Sequence, residues 1–438
     1  MSSGPTDVTE AKLAPVPQTF REYLASFGPG IVVVLTWLGA GDVVDAGVAG
    51  GNYGYALMWS MLLALLMRYL FVSLIAKYQL CNQHGESVLD GLARLHPLYA
   101  PSLAILAVVL GHVLGSFLLV GTGEMSVMLF NVGEKWQWSL LWSGVTVAIV
   151  FRPVYSRVEI AFKVMLAILA VAFIGSALWV GPSFTGIIKG TFAFELPETE
   201  GKFGSLLIVT SMLGAVGGSL MNLAYPYFIE QKGWRGPQYR RVQMYDFLLA
   251  VVVMILLNLA VWTLGAELIH GTGKVIENVA DLTALLAEPL GPIGRWLFLL
   301  GVFAAVFTSL IGMSLIVGCL ASHGYLRWKT GEGPLPMDYR KHPIYRAVVL
   351  WALVSPMVWT LPGMPDFVTL TIVGNSVQVL VVPFLAGGLW WITASPRLIG
   401  EKYCNVWWEN LIMGLLFVLG IWGAYSTVVS IMESLQSL

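Results

Sequence analysis

The chain has 438 residues, of which 57% are hydrophobic and only 11% charged, with a formal net charge of −1 and a mean hydropathy of +0.77. A composition this apolar belongs in a lipid bilayer, and with no basic tail or aromatic-basic interleaving it gives no sign of a nucleic-acid partner. Three widely spaced cysteines, Cys81, Cys319 and Cys404, fit neither a disulfide framework nor a clustered thiolate metal site and read as packing residues.

Residues 1–26 read as a polar cytoplasmic tail without the basic, apolar and small-residue succession of a signal peptide, so the first span is expected to act as its own insertion signal. Eleven apolar runs follow, at 27–50, 53–78, 100–130, 137–152, 158–181, 203–232, 242–270, 294–323, 344–361, 366–393 and 405–432. Crossing ~30 Å of hydrocarbon takes ~20 residues, and the fourth run is short. An odd number of spans places the termini on opposite sides. With the N-terminus inside, eighteen Lys and Arg fall on the inner side and five outside, and Arg68 lies within the second span. The excess of basic residues in short cytoplasmic loops therefore predicts an N-terminus in the cytoplasm and a C-terminus outside the plasma (inner) membrane. Aromatic stretches such as Trp136 to Trp142 and Trp390-Trp391 read as interfacial belts.

In the first run, Gly39-Ala40-Gly41-Asp42-Val43-Val44-Asp45-Ala46-Gly47 sets two carboxylates three residues apart in an apolar span with no basic residue. Carboxylates at that depth are costly and mark an ion or substrate pathway. Gly41 and its neighbours weaken the helix, so the backbone is expected to unwind and turn its carbonyls, with both carboxylates, toward one point. The bland competitor is a structural pair neutralised by Arg68. The sixth run has the same character. Gly214-Ala215-Val216-Gly217-Gly218-Ser219-Leu220-Met221-Asn222-Leu223-Ala224-Tyr225-Pro226-Tyr227 puts glycines and a proline mid-span, and Pro226 predicts a break near Asn222 to Ala224. Two interrupted spans, each leading a group of five, point to an inverted repeat with its site at the midplane. Residues 27–181 and 203–393 would be the repeats, and 405–432 an extra helix.

The Gly-Asp-x-x-Asp stretch, with Gly28-Pro29-Gly30 before it, Ala49-Gly50-Gly51-Asn52-Tyr53-Gly54-Tyr55 after it, the Pro226 break, and Gly374-Asn375-Ser376-Val377-Gln378 leading to Pro383-Phe384, resembles the Nramp divalent-metal transporters across the whole membrane region. The resemblance implies an all-α integral membrane protein of the leucine-transporter-type fold, a 5+5 inverted repeat plus an eleventh helix, with a divalent cation held between helices one and six. One chain is enough for that fold, and the metal is cargo, so no cofactor and no enzymatic activity are expected.

The departures from the family pattern carry most of the information. Where the family has Asp-Pro-Gly-Asn, this chain has Asp42-Val43-Val44-Asp45, a neutral amide replaced by a second carboxylate. Where the family has a thioether before the proline, this chain has Ala224-Tyr225, so no soft sulfur is expected at the ion. An all-oxygen site with two carboxylates suits a small hard cation that keeps several waters. The pattern is similar to the Nramp-related magnesium transporters, and Mg²⁺ is the expected cargo, with Mn²⁺ also admitted. Asp42, Asp45, Ala224, Asn222 and Tyr225 are the candidate metal-site residues. Asn375, Gln378, Tyr227, His112 and Gly41 are the candidate supporting residues, and Glu124 and Glu230 at most vestibule residues. The family's helix-six histidines fall at Tyr227 and Lys232, and its helix-three acidic pair near Val109 and His112. Transport uncoupled from protons, or only weakly coupled, is therefore expected.

Three other readings compete. Proton-coupled Mn²⁺ or Fe²⁺ symport of the ordinary Nramp kind is the nearest. Sodium-coupled amino-acid symport keeps the fold, but two acidic side chains repel a substrate carboxylate. An intramembrane aspartyl protease is suggested by Gly39-Ala40-Gly41-Asp42 and Tyr245-Asp246, but the order of the two is reversed and Asp45 has no role in it.

Overall fold

The computed structural model describes residues 13–27, 40–151, 155–217, 219–331 and 341–436. Among them every regular element is a helix, as the bilayer demands, since only a helix or a closed barrel satisfies its own backbone in hydrocarbon. Eight helices among the described residues are long and apolar enough to cross a membrane, nine if Val164–Val180 and Phe184–Phe192, bent by 108°, count as one span. The fourth run gives the short helix Lys135–Val150, with 16 residues, and the described part of the first run lies in the helix Ala40–Tyr53. The Gly28-Pro29-Gly30 motif lies outside the described residues.

The third span, Tyr99–Phe130, and the eighth, Ala284–Thr330, form the packing centre. The eighth also lies against the fifth and ninth spans, and the third against the fourth, ninth and tenth. The eighth helix is longer than the expected run 294–323 because it continues a preceding turn through a kink at Gly291, where φ is 62°. The first span packs along the seventh, Arg240–Leu268.

Two expectations about the breaks need correction. Ala40–Tyr53 is a continuous helix, so the expected unwinding is not found from Ala40 to Gly47, while Gly39 lies outside the described residues. The glycines there serve packing. A Cβ on Gly50 would stand 2.4 Å from the Trp262 carbonyl oxygen of the seventh span, an approach that only glycine permits. The helix's intrinsic cost of about 1 kcal/mol per glycine is offset by that contact and by the need to satisfy every backbone group internally. At the far end the Asn52 side chain donates to the Ile276 carbonyl (3.2 Å) and accepts from the Ile276 amide (2.7 Å), while Trp262 Nε1 donates to the Gly54 carbonyl at 2.7 Å. The Asn52-Tyr53-Gly54 motif therefore fastens this end of the span.

In the sixth span the break begins earlier than Pro226 predicts and runs on through the expected stretch from Asn222 to Ala224. The α-helix Ser205–Met212 passes into a π-helical turn at Leu213–Gly217, Ser219 is extended, Leu220–Ala224 is a 3-10 turn, and a second α-helix runs from Tyr225 to Gln231. Pro226 stands in the first turn of that second helix, where its missing N–H costs nothing. The glycine cluster, not the proline, interrupts the ladder. The tenth span is interrupted as well, with Phe367–Gln378, a 3-10 turn at Val379–Val381, and Val382–Ala394.

Between the second and third spans the short helix Val88–Ala93 docks on the eighth span through Asp90, which accepts from His323 Nε2 at 2.8 Å and Arg327 Nε at 2.7 Å. Burial pushes the Asp90 carboxyl up, but His323, Ser87 and Arg327 outweigh it and hold the group well below the usual carboxylate range. Because the folded-state value is depressed, this contribution is present above about pH 4 and is lost as pH falls through the folded value. Asp90→Asn is expected to destabilise the protein at neutral pH and to flatten the loss of melting temperature on acidification below pH 4. Gly50→Ala is expected to cost about 1–3 kcal/mol, read as a lower melting temperature in detergent and earlier loss of the monodisperse chromatographic peak.

Candidate functional site

Asp42 and Asp45 stand one turn apart near the start of the described first-span helix, 6% and 2% exposed. The two are treated very differently. Asp45 Oδ1 accepts from Ser211 Oγ of the sixth span at 2.6 Å, and its Oδ2 accepts from Asn375 Nδ2 of the tenth at 3.1 Å. An ionised carboxylate only accepts, so it fixes the orientation of the Asn375 amide. The freed Asn375 Oδ1 accepts from Gln378 Nε2 at 3.2 Å, and Gln378 Oε1 accepts from Ser219 Oγ at 2.8 Å. A chain of four hydrogen bonds thus joins the first, sixth and tenth spans where the last two are interrupted. Gly214 lets these spans meet, since a Cβ there would stand 2.0 Å from the Asn375 carbonyl oxygen. A Cβ on Gly41 would likewise stand 3.0 Å from Asn375 Nδ2.

Asp42 keeps an open acceptor. Its Oδ2 is buried and has no hydrogen-bond partner among the described residues. A cavity of about 80 Å³ lies beside it, walled by Asp42, Gly41, Arg68, Ala215, Ser219, Met221, Asn375 and Gln378, with Leu114, Phe117, Leu118, Ser309 and Met313. That is several times the ~10–15 Å³ one water requires. A narrower space of about 10 Å³ connects Asp42 and Asp45 and is edged by Met61, Met212 and Asn258. Arg68, only 3% exposed, attracts Asp42 electrostatically and donates from Nη2 to the Ala215 carbonyl of the sixth-span break at 2.9 Å.

The structure therefore brings together Asp42, Asp45, Asn375, Gln378 and Gly41 among the expected residues, and leaves others aside. Tyr225 is fully buried but turned toward the seventh span, its hydroxyl accepting from Gln243 Nε2 at 3.3 Å and its ring 5.3 Å from Phe247. Asn222 and Ala224 are buried in the 3-10 turn, and neither they nor the half-buried Tyr227 wall the 80 Å³ cavity. The Asn222 carbonyl accepts from the Tyr225 amide. From the interrupted stretch it is Ala215, Ser219 and Met221 that wall the cavity instead.

His112 is structural. Trp359 Nε1, which can only donate, reaches His112 Nε2 at 3.1 Å, and His112 Nδ1 lies 2.9 Å from Ser355 Oγ. Both ring nitrogens are engaged by the ninth span, which fixes a neutral tautomer with its proton on Nδ1. Glu124 accepts from the Phe367 amide at 3.2 Å and lies 3.7 Å from Lys135, so it caps the tenth span, and the exposed Glu230 pairs with Arg235 at 3.2 Å.

Several cavity or network residues are not among the site residues expected from the sequence, notably Ser211, Ser219, Met221, Met313 and Arg68. Arg68 had a signal of its own, because a lone arginine deep in an apolar helix turns toward the bundle interior. Met221 and Met313, two thioether side chains outside the motif positions, also wall the cavity. Ser211→Ala, which leaves one Asp45 oxygen without its donor, is expected to cost about 1.5–3 kcal/mol in thermal unfolding, with Ser211→Thr restoring most of it.

The family described as natural resistance-associated macrophage protein-like, Nramp, matches residues 30–430. The chain is 25% identical over 411 residues to a protein named divalent metal cation transporter MntH from Brucella suis biovar 1, covering 89% of this chain and 84% of that one. Its fold matches a manganese transporter of Eremococcus coleocola, crystallised with an aromatic bis-isothiourea substituted compound, with a TM-score of 0.73 at 14% identity, over 98% of this chain and 92% of that one. It also matches Mhp1, a nucleobase-cation-symport-1 family transporter in a closed conformation, with a TM-score of 0.51 at 10% identity, over 94% and 93% of the two chains.

Proposed function

Since this chain belongs to the Nramp family, we propose that it carries divalent metal ions across the membrane, with partly hydrated Mg²⁺ as the preferred cargo and Asp42 and Asp45 as the anionic ligands. The observation that carries the reading is the buried, unsatisfied Oδ2 of Asp42 beside a second carboxylate one turn away. A buried carboxylate oxygen with no donor is expensive unless something positive comes to it. The other polar groups at hand, the amides of Asn375 and Gln378 and the hydroxyl of Ser219, supply oxygen, the donor type that Mg²⁺ takes along with its retained waters. Asn375 and Gln378 support the carboxylates, with Gly41 giving Asn375 its room.

A second reading, Mn²⁺ as the preferred ion, is favoured by Met221 and Met313 in the cavity wall, since a thioether favours softer ions than Mg²⁺. The solved structure of matching fold is itself named a manganese transporter.

Transport is proposed to run without proton coupling. His112 is committed to two structural hydrogen bonds, and Tyr227 and Lys232 stand where the resemblance puts the family's relay histidines. The membrane potential then supplies the drive, at ~2.3 kcal/mol per charge per 100 mV and twice that for a divalent ion. The bias of basic residues supports an N-terminus in the cytoplasm.

Proteoliposomes with an internal Mg²⁺-sensitive dye test both ion readings. Native protein is expected to carry Mg²⁺, Asp42→Ala to abolish uptake of every ion, and Asp45→Asn to reduce Mg²⁺ uptake more than Mn²⁺ uptake. Uptake of Mn²⁺ without Mg²⁺ would select the second reading. A pH dye in the same vesicles is expected to show no proton movement that tracks metal uptake, and a proportional proton flux would overturn the uncoupled cycle.

A further inference from the structure

Arg68 brings to the cavity a charge that this transport cycle leaves without a task. It is the one charged residue between Met58 and Ala76 of the second span, it is 3% exposed, and it walls the same 80 Å³ space as Asp42. Arginine stays protonated in proteins. The guanidinium is also held in place, with Nη2 on the Ala215 carbonyl at 2.9 Å and Nη1 on Met254 Sδ at 3.4 Å.

We propose that Arg68 is a specificity-determining residue that sets the affinity and the valence preference of the ion site through its fixed positive charge. This rests on the reading that Asp42 and Asp45 hold the ion. An ion on the open Asp42 oxygen enters a cavity with the guanidinium in its wall, and repulsion by a fixed charge grows in proportion to the charge of the ion. Two carboxylates alone would form a deep trap, most of all for ions of high charge. With Arg68 beside them, the site's formal charge falls from −2 to −1. Multivalent ions are held less tightly and leave faster, and a trivalent ion loses more than a divalent one. Because Arg68 also grips Ala215 in the interrupted sixth span, its charge stays on the wall while the ion comes and goes.

The test separates charge from shape. Arg68→Gln removes the charge and keeps an N–H donor for the Ala215 carbonyl, whereas Arg68→Lys keeps the charge and changes the geometry. Mn²⁺, Mg²⁺ and La³⁺ binding is measured by calorimetry on the purified full chain, and KM and Vmax for Mn²⁺ and Mg²⁺ in proteoliposomes. In Arg68→Gln the divalent-ion affinity is expected to tighten and KM to fall about tenfold or more, La³⁺ to tighten by a larger factor, and Vmax to fall as release slows. Arg68→Lys is expected to stay within about threefold of native affinity. If Arg68→Gln does not give a monodisperse protein, Arg68→Met supplies the same loss of charge with an apolar side chain of similar length. The proposal is overturned if the uncharged variants lower Vmax with affinity and KM unchanged or weaker, or if Arg68→Lys behaves like Arg68→Gln. If native protein binds no divalent ion, or Asp42→Ala binds as well as native, the site assignment has failed instead.

Discussion

Everything at the centre of this protein follows from keeping carboxylates out of water. At membrane depth an ionised Asp has lost its hydration, and every compensating group must come from a neighbouring span. Asp45 has its compensation: a hydroxyl from the sixth span and an amide from the tenth. Asp42 is compensated only in part, by the nearby guanidinium of Arg68, and retains a bare buried oxygen. That asymmetry divides the work. One carboxylate is anchored and organises the wall, while the other is the one proposed to receive a cation.

The interrupted spans serve the same constraint. A regular helix consumes its own carbonyls and amides, and its side chains keep neighbouring axes apart. At the π turn of the sixth span, Gly214 allows backbone contact with Asn375 of the tenth span, and the Ala215 carbonyl is open to Arg68. The polar chain from Asp45 through Asn375 and Gln378 to Ser219 runs across this gap. Around it the scaffold is plain apolar packing, with the third and eighth spans at its centre. The irregular backbone is thus buried in protein, the condition under which a membrane protein tolerates it.

The site is chemically mixed. Carboxylate, amide and hydroxyl oxygens line it alongside Met221 and Met313, so hard and soft donors share one small volume. Ion preference therefore depends on which of these groups contacts the ion directly and which only fills space. On the proposed assignment the second carboxylate and the arginine act on ion affinity in opposite directions, leaving a formal site charge of −1.

Much of this was legible in the primary sequence. The apolar runs, the pair Asp42 and Asp45, the fact that the sixth span is interrupted and the pairing of Asn375 with Gln378 all follow from hydropathy, spacing and the cost of polar groups in lipid, which are properties of the chain read locally. Family membership was legible for the same reason, because its motifs are local. The tertiary structure decided what depends on facing partners. Asp45 and not Asp42 is tethered, because Ser211 and Asn375 arrive from remote positions. Tyr225 turns to Gln243, and His112 to Ser355 and Trp359, because those partners sit on other spans. The helix from Ala40 stays intact because the seventh span fits against Gly50. Arg68, one apparent anomaly in an apolar helix, becomes part of the site only when the second span is laid against the interrupted sixth. Local periodicity and composition are written along one segment; the direction in which a buried polar side chain points is set by which neighbour can satisfy it, and that neighbour is chosen by the fold.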